Sequence, residues 1–367
     1  MKLLVAIPTW NRADHLDTAI RAVAAARSMT RNCDVELFIS DNCSSDHTAE
    51  VVARWRADAP WIHYRRWEEH IASWGPDILR RTLQGSDLEY DYLWLQGDDD
   101  YISDLDAYEK LADAIQASAG DPPAIAHCCA ARRSLPGDQR IIAGNTEDLC
   151  NRYGWHDLLG WISSLVLSKE TVARIWASPH CAIKPQSAFW HAEVLLEAAY
   201  GRNMLILTEG LIDPQDEQQT PESVERWAQA KVGQGYWYVI SGLNSLKDRG
   251  ILTKPLKLGF FRYLTYSFWD RFAVEVLHMA SSSGTSDEAL EVRLGLLLGL
   301  ADLLGHGEDR KLYKNWLEGF RNDVKAIRLA IQILDNRILS HQQPSYSWTV
   351  LPPPPAASLT GDPSEVR

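Results

Sequence analysis

No stretch of the 367 residues is apolar for long enough to cross a bilayer. The most apolar later run, Leu294 to Ala301, is closed off by Arg293 and Asp302, well short of the roughly 20 residues a membrane helix needs. The six cysteines (Cys33, Cys43, Cys128, Cys129, Cys150, Cys181) contain no C-x-x-C spacing. A thiolate zinc site therefore has little support, a disulfide framework is out of keeping with this length, and reduced thiols in a cytoplasmic protein are expected. Basic charge is scarce: 37 Lys and Arg against 49 Asp and Glu leave a formal net charge of −12. That balance argues against nucleic acid as a partner and against a broad electrostatic grip on an anionic membrane. There is no internal repeat. The apolar start Met1–Ile7 meets Pro8 and then Asn11-Arg12, too soon for a signal-peptide core, and reads as a buried first strand.

What is present is an ordinary globular composition, 46% apolar and 23% charged, with ample chain to bury a core in one large or two ordinary domains. Fifteen tryptophans are many; they serve cores first, and offer flat faces for ring-shaped ligands second.

Short apolar runs alternate with helical patterns through the first half. Leu3–Ile7, Val35–Ser40, Ile62–Tyr64 and Tyr92–Gln96 are strand candidates. Between them, Leu16, Ile20 and Val23 mark one buried helical stripe, and Val51, Val52 and Trp55 another, capped by Ser44-Ser45-Asp46. Ser103 and Asp106 resemble a capping box before a helix carrying Leu105, Tyr108, Leu111 and Ile115. Such alternation implies βαβ units and a mostly parallel sheet, an α/β fold. Ile125–Ala126, Ile141–Ile142, Ile162–Leu167 and Met204–Thr208 follow as strands, with a helix from about Ser187 to Tyr200.

From Pro221 the pattern is helical: Glu222–Lys247, Lys257–Ala280, Asp287–Leu304, Asp309–Phe320 and Asp323–Leu339. The expected division is an α/β domain over 1–215, an all-helical region over 216–343 and a disordered proline-rich tail over 344–367. The aromatic-bearing helical region could cover a binding site, pack a homodimer or rest on a membrane surface. Its basic residues are too sparse to argue for stable anchoring.

Three polar clusters fall at the C-terminal ends of predicted parallel strands, the edge where open α/β sheets bind ligands. They are Pro8-Thr9-Trp10-Asn11-Arg12, Ser40-Asp41-Asn42-Cys43-Ser44-Ser45-Asp46 and Gly97-Asp98-Asp99-Asp100. Three consecutive carboxylates repel, so their clustering calls for a cation. Mg²⁺ or Mn²⁺ held by one or two carboxylates and completed by substrate phosphates suits them; a solvated acidic loop is the alternative. Asp41 supplies an exposed acid and Asn42 an amide for a base edge or ribose, unless the segment is a plain turn.

In this order and spacing the clusters resemble glycosyltransferase family 2 with its GT-A fold. The wording Ser40-Asp41-Asn42 with Gly97-Asp98-Asp99-Asp100 is most similar to bacterial O-antigen and capsule enzymes, including the abequosyltransferase-like group. The resemblance implies an inverting transfer from a nucleotide-diphosphate-sugar donor to a hydroxyl of a glycan or lipid-linked glycan. Pro8, Thr9, Asn11, Arg12, Asp41 and Asn42 would line the nucleotide pocket, with Asp98 and Asp99 towards ribose or sugar. Asp100, with Asp98, would hold Mn²⁺ or Mg²⁺; Gly97 stands where the family often has its first acid. Glu193 falls at the family's base position, with His191 as rival base or metal ligand and Ala192 replacing the first acid of the family's pair. Trp155, His156, Asp157 and Trp161 resemble the acceptor side, the two tryptophans being equally readable as core anchors. The stretch His70–Arg81 matches the family poorly and singles out only Asp77. A nucleotidyltransferase would carry a glycine-rich first loop that Pro8–Arg12 lacks. A catalytically silent binding protein is the remaining alternative, because of the altered Ala192-Glu193 pair.

Overall fold

The computed structural model describes residues 1–339 apart from 72–75, 85, 119, 131–134, 136–137, 179–189, 215–231, 263–267 and 283. The expected tail at 344–367 and Cys181 therefore lie outside the described residues. Four strands, β1 (Lys2–Thr9), β2 (Asp34–Asp41), β3 (Ile62–Arg66) and β4 (Tyr92–Leu95), run parallel in the order β3-β2-β1-β4. β8 (Leu165–Ser168) then pairs antiparallel with β4, and β6 (Ile125–Ala130) antiparallel with β8. β9 (Asn203–Pro214) lies parallel to β6, and pairs antiparallel with both β7 (Ile141–Asn145) and β5 (Asp100–Ile102).

Covering both faces makes the parallel strands near-continuous apolar runs: Leu3 through Ile7 is buried without a gap. On one face Leu3, Val5, Ile7, Val35, Leu37 and Ile39 pack against α1 (Ala13–Met29), α2 (Thr48–Arg56) and α4 (Ala107–Ala117). The alternate residues Leu4, Ala6, Leu93 and Leu95 face a second cluster, as the two-residue period of a strand requires. That cluster takes in α5 (Thr146–Tyr153), α6 (Trp155–Leu159), α7 (Lys169–Ala177) and α8 (Trp190–Ala199). It continues without a break into the helical region, α9 (Val232–Asp248), α10 (Phe268–Ser281), α11 (Asp287–Leu303) and α12 (Glu308–Leu339). No helix among the described residues is long and apolar enough to cross a membrane.

Several expected elements differ. The chain after Asp98 forms β5, so Ser103 donates its backbone N–H to Leu211 and no capping box forms; the helix starts at Ala107 and Leu105 is exposed. Ile162–Leu167 divides into a 3-10 turn (Ile162–Ser164) and β8. Lys257–Ala280 likewise divides into a 3-10 turn at Leu258–Phe261 and α10. The two helices expected over Asp309–Leu339 are one, because nothing at Arg321-Asn322 breaks the ladder. α3 (Pro76–Gln84), α5, α6 and α7 have no counterpart among the expected elements, although Ser168 caps α7 by accepting from the Thr171 N–H.

His127 on β6 is buried, and its Nδ1 donates to the Leu158 carbonyl at 2.9 Å. Burial pulls its pKa from 6.5 down to about 4, against the smaller opposing effect of that bond. Between those values the unfolded chain binds the proton more readily, so this contribution is complete above pH 6.5 and is lost as pH falls towards 4. The full swing is about 3 kcal/mol. His127→Asn, which can keep a donor for Leu158 but cannot titrate, is expected to flatten the wild-type loss between pH 7 and 4.5 in urea unfolding.

Candidate active site

The C-terminal ends of β1, β2 and β4 lie side by side, Thr9 opposite Asp41 and Ala6 opposite Leu95. Beyond β4 the chain turns through Gly97-Asp98-Asp99-Asp100. Asp98 is buried; its Oδ2 accepts from Thr9 Oγ1 at 2.7 Å and its Oδ1 from Arg12 Nη1 at 3.0 Å. The same Arg12 nitrogen donates to Asp99 Oδ2 at 2.5 Å. Burial alone would lower the Arg12 pKa, but Asp98 and Asp99 outweigh it and hold the guanidinium above its ordinary value. Asp98 is raised, by burial first, with Arg12 opposing.

Asp100 is held from another side. Ser163 Oγ and Trp161 Nε1 both donate to its Oδ2, the latter at 3.2 Å, and Gln96 Nε2 donates to its backbone carbonyl at 2.5 Å. Ser163 Oγ also accepts from the Gly97 N–H at 2.8 Å, while its own carbonyl accepts from Trp94 Nε1. Burial pushes the Asp100 carboxyl up to about 7, opposed by the Ser163 bond. Gly97 has a steric reason to lack a side chain: a Cβ there would stand 2.9 Å from both Asp99 Oδ1 and Asp100 Oδ2.

The β1–α1 turn is fastened to the β2–α2 loop by Asn11, whose φ of 52° is a conformation asparagine tolerates. Its Oδ1 accepts from the Ser45 N–H at 2.7 Å, and its own N–H donates to Ser44 Oγ at 2.9 Å. Asp41 is fully buried, correcting the expectation of an exposed acid. Its Oδ1 accepts from the Ser44 N–H and its Oδ2 from the Tyr64 hydroxyl at 2.6 Å. Burial, then Asp41, raises the Tyr64 pKa. Asn42 is buried too: its amide pairs with the backbone of Ile71 at 2.9 and 3.0 Å, and its Oδ1 accepts from Arg81 at 3.0 Å. Exposed Trp10 stacks on His70 at 4.2 Å, and Trp67 carries Arg65 and Arg81 over its ring. The side chain of Asp77 lies outside the described residues. Pro8 lies inside β1, opposite Ser40.

Of the remaining candidates, Trp161 touches the acid loop through Asp100. Trp155 is fully buried and stacked on Phe260 at 6.5 Å, so it is a core anchor and offers no face to a sugar. His156 and Asp157 are partly exposed on α6. His191 Nε2 donates to the Gly160 carbonyl at 3.2 Å, and the protein packed around its ring pulls it down to about 4, leaving it neutral at pH 7. Glu193, in the first turn of α8, is buried against Gly242 of α9.

Residues 4–123 match the family model for glycosyl transferase family 2. That segment, about a third of the chain, is what resembles the family. Within bacteria, the abequosyltransferase RfbV of Salmonella typhimurium is 34% identical over 105 residues, 28% of this chain and 29% of that protein. The match thus spans under a third of its relative's length. The crystal structure of S. aureus TarS 1–349 superposes with a TM-score of 0.55 over 92% of both chains at 14% identity. The same TarS fragment in complex with UDP-GlcNAc gives 0.54 over 92% of both at 13%. At such identity the likeness concerns the fold alone: a mostly parallel sheet flanked by helices, of GT-A type, followed by a helical C-terminal region.

Among the described residues no three His, Cys, Asp or Glu side chains form a ready-made metal cage. Two carboxylate oxygens, Asp99 Oδ1 and Asp100 Oδ2, nevertheless converge above Gly97. Asp100 Oδ2 already accepts from Ser163 and Trp161, so a hard divalent ion there would share that oxygen and take its other ligands from phosphates and water. Asp98, with both oxygens engaged, fits it less well than Asp99. Sequence reading missed Ser163 as the support of Asp100, and Tyr64 as the partner of Asp41. The available signal for Tyr64 was its position two residues along β3, opposite Ile39.

Removing Arg12 leaves Asp98 buried without its cation, whereas Asp99 is more than a third exposed. Arg12→Ala is expected to destabilise by about 3 kcal/mol, and Asp99→Asn by under about 1 kcal/mol. Urea unfolding at pH 7 reads both.

Proposed function

We propose that the protein is an inverting glycosyltransferase. It moves a sugar from a nucleotide-diphosphate donor to a hydroxyl of a bacterial surface glycan of the O-antigen type. The observation that carries this reading is the convergence of Asp99 and Asp100 over Gly97 beside Arg12, at the C-terminal edge of the parallel strands. The acceptor class rests on the 34% identity over 105 residues with an abequosyltransferase.

In this reading Thr9 and Arg12 hold Asp98 as the fixed floor of the donor pocket, and the amides and hydroxyls of Asn42, Ser44 and Tyr64 shape its nucleoside end. Asp99 and Asp100 would hold Mn²⁺ or Mg²⁺, which when bound stabilises the charge on the departing nucleoside diphosphate. Glu193 takes the acceptor hydroxyl's proton while that oxygen attacks the anomeric carbon. The bond from that carbon to the diphosphate breaks with its electron pair leaving on the nucleotide, and the configuration inverts. His191, neutral and committed to Gly160, anchors α8 and is not the base. Trp161, with His156 and Asp157 on the helix before it, faces the acceptor.

UDP-, GDP-, CDP- and dTDP-sugars are to be screened by thermal shift with and without Mn²⁺, since a ligand of the native state raises its melting temperature. At least one is expected to do so only with the metal, and Asp99→Asn and Asp100→Asn each to remove the effect. Glu193→Gln should lower turnover of that donor by roughly 10²- to 10⁴-fold while leaving its binding intact. If no sugar nucleotide shifts the transition in Mn²⁺, the donor site is refuted.

A further inference from the structure

Helix α9 comes from the C-terminal region, beyond the segment that matches the family model, and it meets the start of α8 at Gly242. A Cβ placed on Gly242 would stand 2.3 Å from Cδ, 2.4 Å from Oε1 and 2.5 Å from Cγ of Glu193. The three nearest atoms all belong to that one side chain, and no real Cβ tolerates such distances. Both residues are buried, and Ala192 and Val194 beside Glu193 share a core with Trp237, Ile240 and Leu243 of α9. A glycine inside a helix costs about 1 kcal/mol relative to alanine; at Gly242 the close approach of Glu193 is what an alanine would forfeit. Gly295, inside α11, has no atom within 4 Å of its would-be Cβ and shows what an unconstrained helical glycine looks like.

We infer that Gly242 is a positioning residue for the Glu193 carboxylate, and that the helical region thereby completes the catalytic site. The inference rests on the reading of Glu193 as the base. The start of α8 is tied through His191 to the Gly160 carbonyl, one residue before Trp161, whose indole N–H holds Asp100. The first turn of α8 and the acid loop are therefore fastened to the same short segment. The bare backbone of Gly242 sets how far the Glu193 side chain can lie from it towards α9. Any larger residue must push the carboxylate out of that groove. The obstructing atoms belong to one side chain and none to a backbone, so the displacement falls first on Glu193.

The test uses the full chain with Gly242→Ala, Glu193→Gln, Glu193→Asp, the pair Gly242→Ala/Glu193→Asp, and Gly295→Ala as the helix-propensity control. The readout is release of nucleoside diphosphate, with water as acceptor, from whichever of the UDP-, GDP-, CDP- and dTDP-sugars binds with Mn²⁺. Gly242→Ala is expected to lower kcat roughly 10- to 100-fold, as a misplacement of about 1 Å does. Its donor KM and melting temperature should stay with those of Gly295→Ala. Aspartate is one methylene shorter and leaves room for the new methyl, so the pair should turn over at the rate of Glu193→Asp alone. A Gly242→Ala rate within about two-fold of Gly295→Ala, with Glu193→Gln inactive, overturns the positioning role and leaves the proposed function standing. Full turnover by Glu193→Gln, or no sugar-nucleotide binding, overturns the functional reading and this inference with it. Should Gly242→Ala fail to fold, the aspartate pair carries the test, and a rate far below Glu193→Asp alone overturns the inference.

Discussion

The guanidinium of Arg12 lies between Asp98 and Asp99, and the C-terminal edge of the parallel strands is built around that contact. Consecutive carboxylates taken partly out of water repel strongly, because the solvent that would screen them is gone. A cation must stand among them even before any ligand arrives. The chain supplies it from the residue just before α1, and so reaches it only if β1 and β4 are paired in register and the turn at Asn11 brings Arg12 back over the strand ends. The left-handed backbone at Asn11 is held by the hydrogen bonds its side chain makes to the β2–α2 loop. The ion cluster thus ties the ends of β1 and β4 together, and Asn11 adds the end of β2.

With Arg12 assigned, the three acids stop being equivalent. Asp98 is internal: Thr9 and Arg12 occupy both its oxygens. Asp99 is half turned to solvent, and Asp100 is braced by Ser163 and Trp161, with the same serine hydroxyl gripping the Gly97 amide. The loop is therefore preorganised by neutral donors on one side and a fixed charge on the other. A site of this kind has little reorganisation left to make when charge is brought to it. Gly97 belongs to the same arrangement. An acid at this position, as the family often has, would put a Cβ against Asp99 and Asp100, so the glycine and the paired acids after it go together.

The parallel half of the fold was legible because its signals are local. Strands buried on both faces read as unbroken apolar runs, and the polar clusters directly follow them, as Thr9 and Asp41 do. Signals that depend on distant partners were not legible. β5 has three residues and exists because residues 212–214 of β9 pair with it. Read locally, Ser103 and Asp106 look like a helix cap. Asp41 reads as exposed by residue type, yet Tyr64, 23 residues away, covers it. Trp155 reads equally as stacking platform or anchor until Phe260 is seen against it, more than a hundred residues later. The burial of Glu193 comes from α9, which nothing near the Ala192-Glu193 pair announces.

The sheet's two faces carry different burdens. One is closed by α1, α2 and α4, all drawn from the stretch that matches the family model. The other is closed by α5 to α8 and by the C-terminal helices, in one unbroken apolar cluster that joins Leu4 and Leu93 to Leu294 and Leu317. The helical region thus backs the helices over one sheet face, through the helix of Trp190–Ala199 and through Phe260 and Phe261. The similarity to family 2 ends at residue 123, just where the chain passes from strand ends that gather Arg12, Asp41 and Asp98 to the elements that bring Trp161, His191 and Glu193. A diphosphate donor and a glycan acceptor call for different groups. On the proposed reading, the recognisable and unrecognisable parts of the sequence divide along that line. The Gly242–Glu193 contact is where the second part reaches the chemistry of the first.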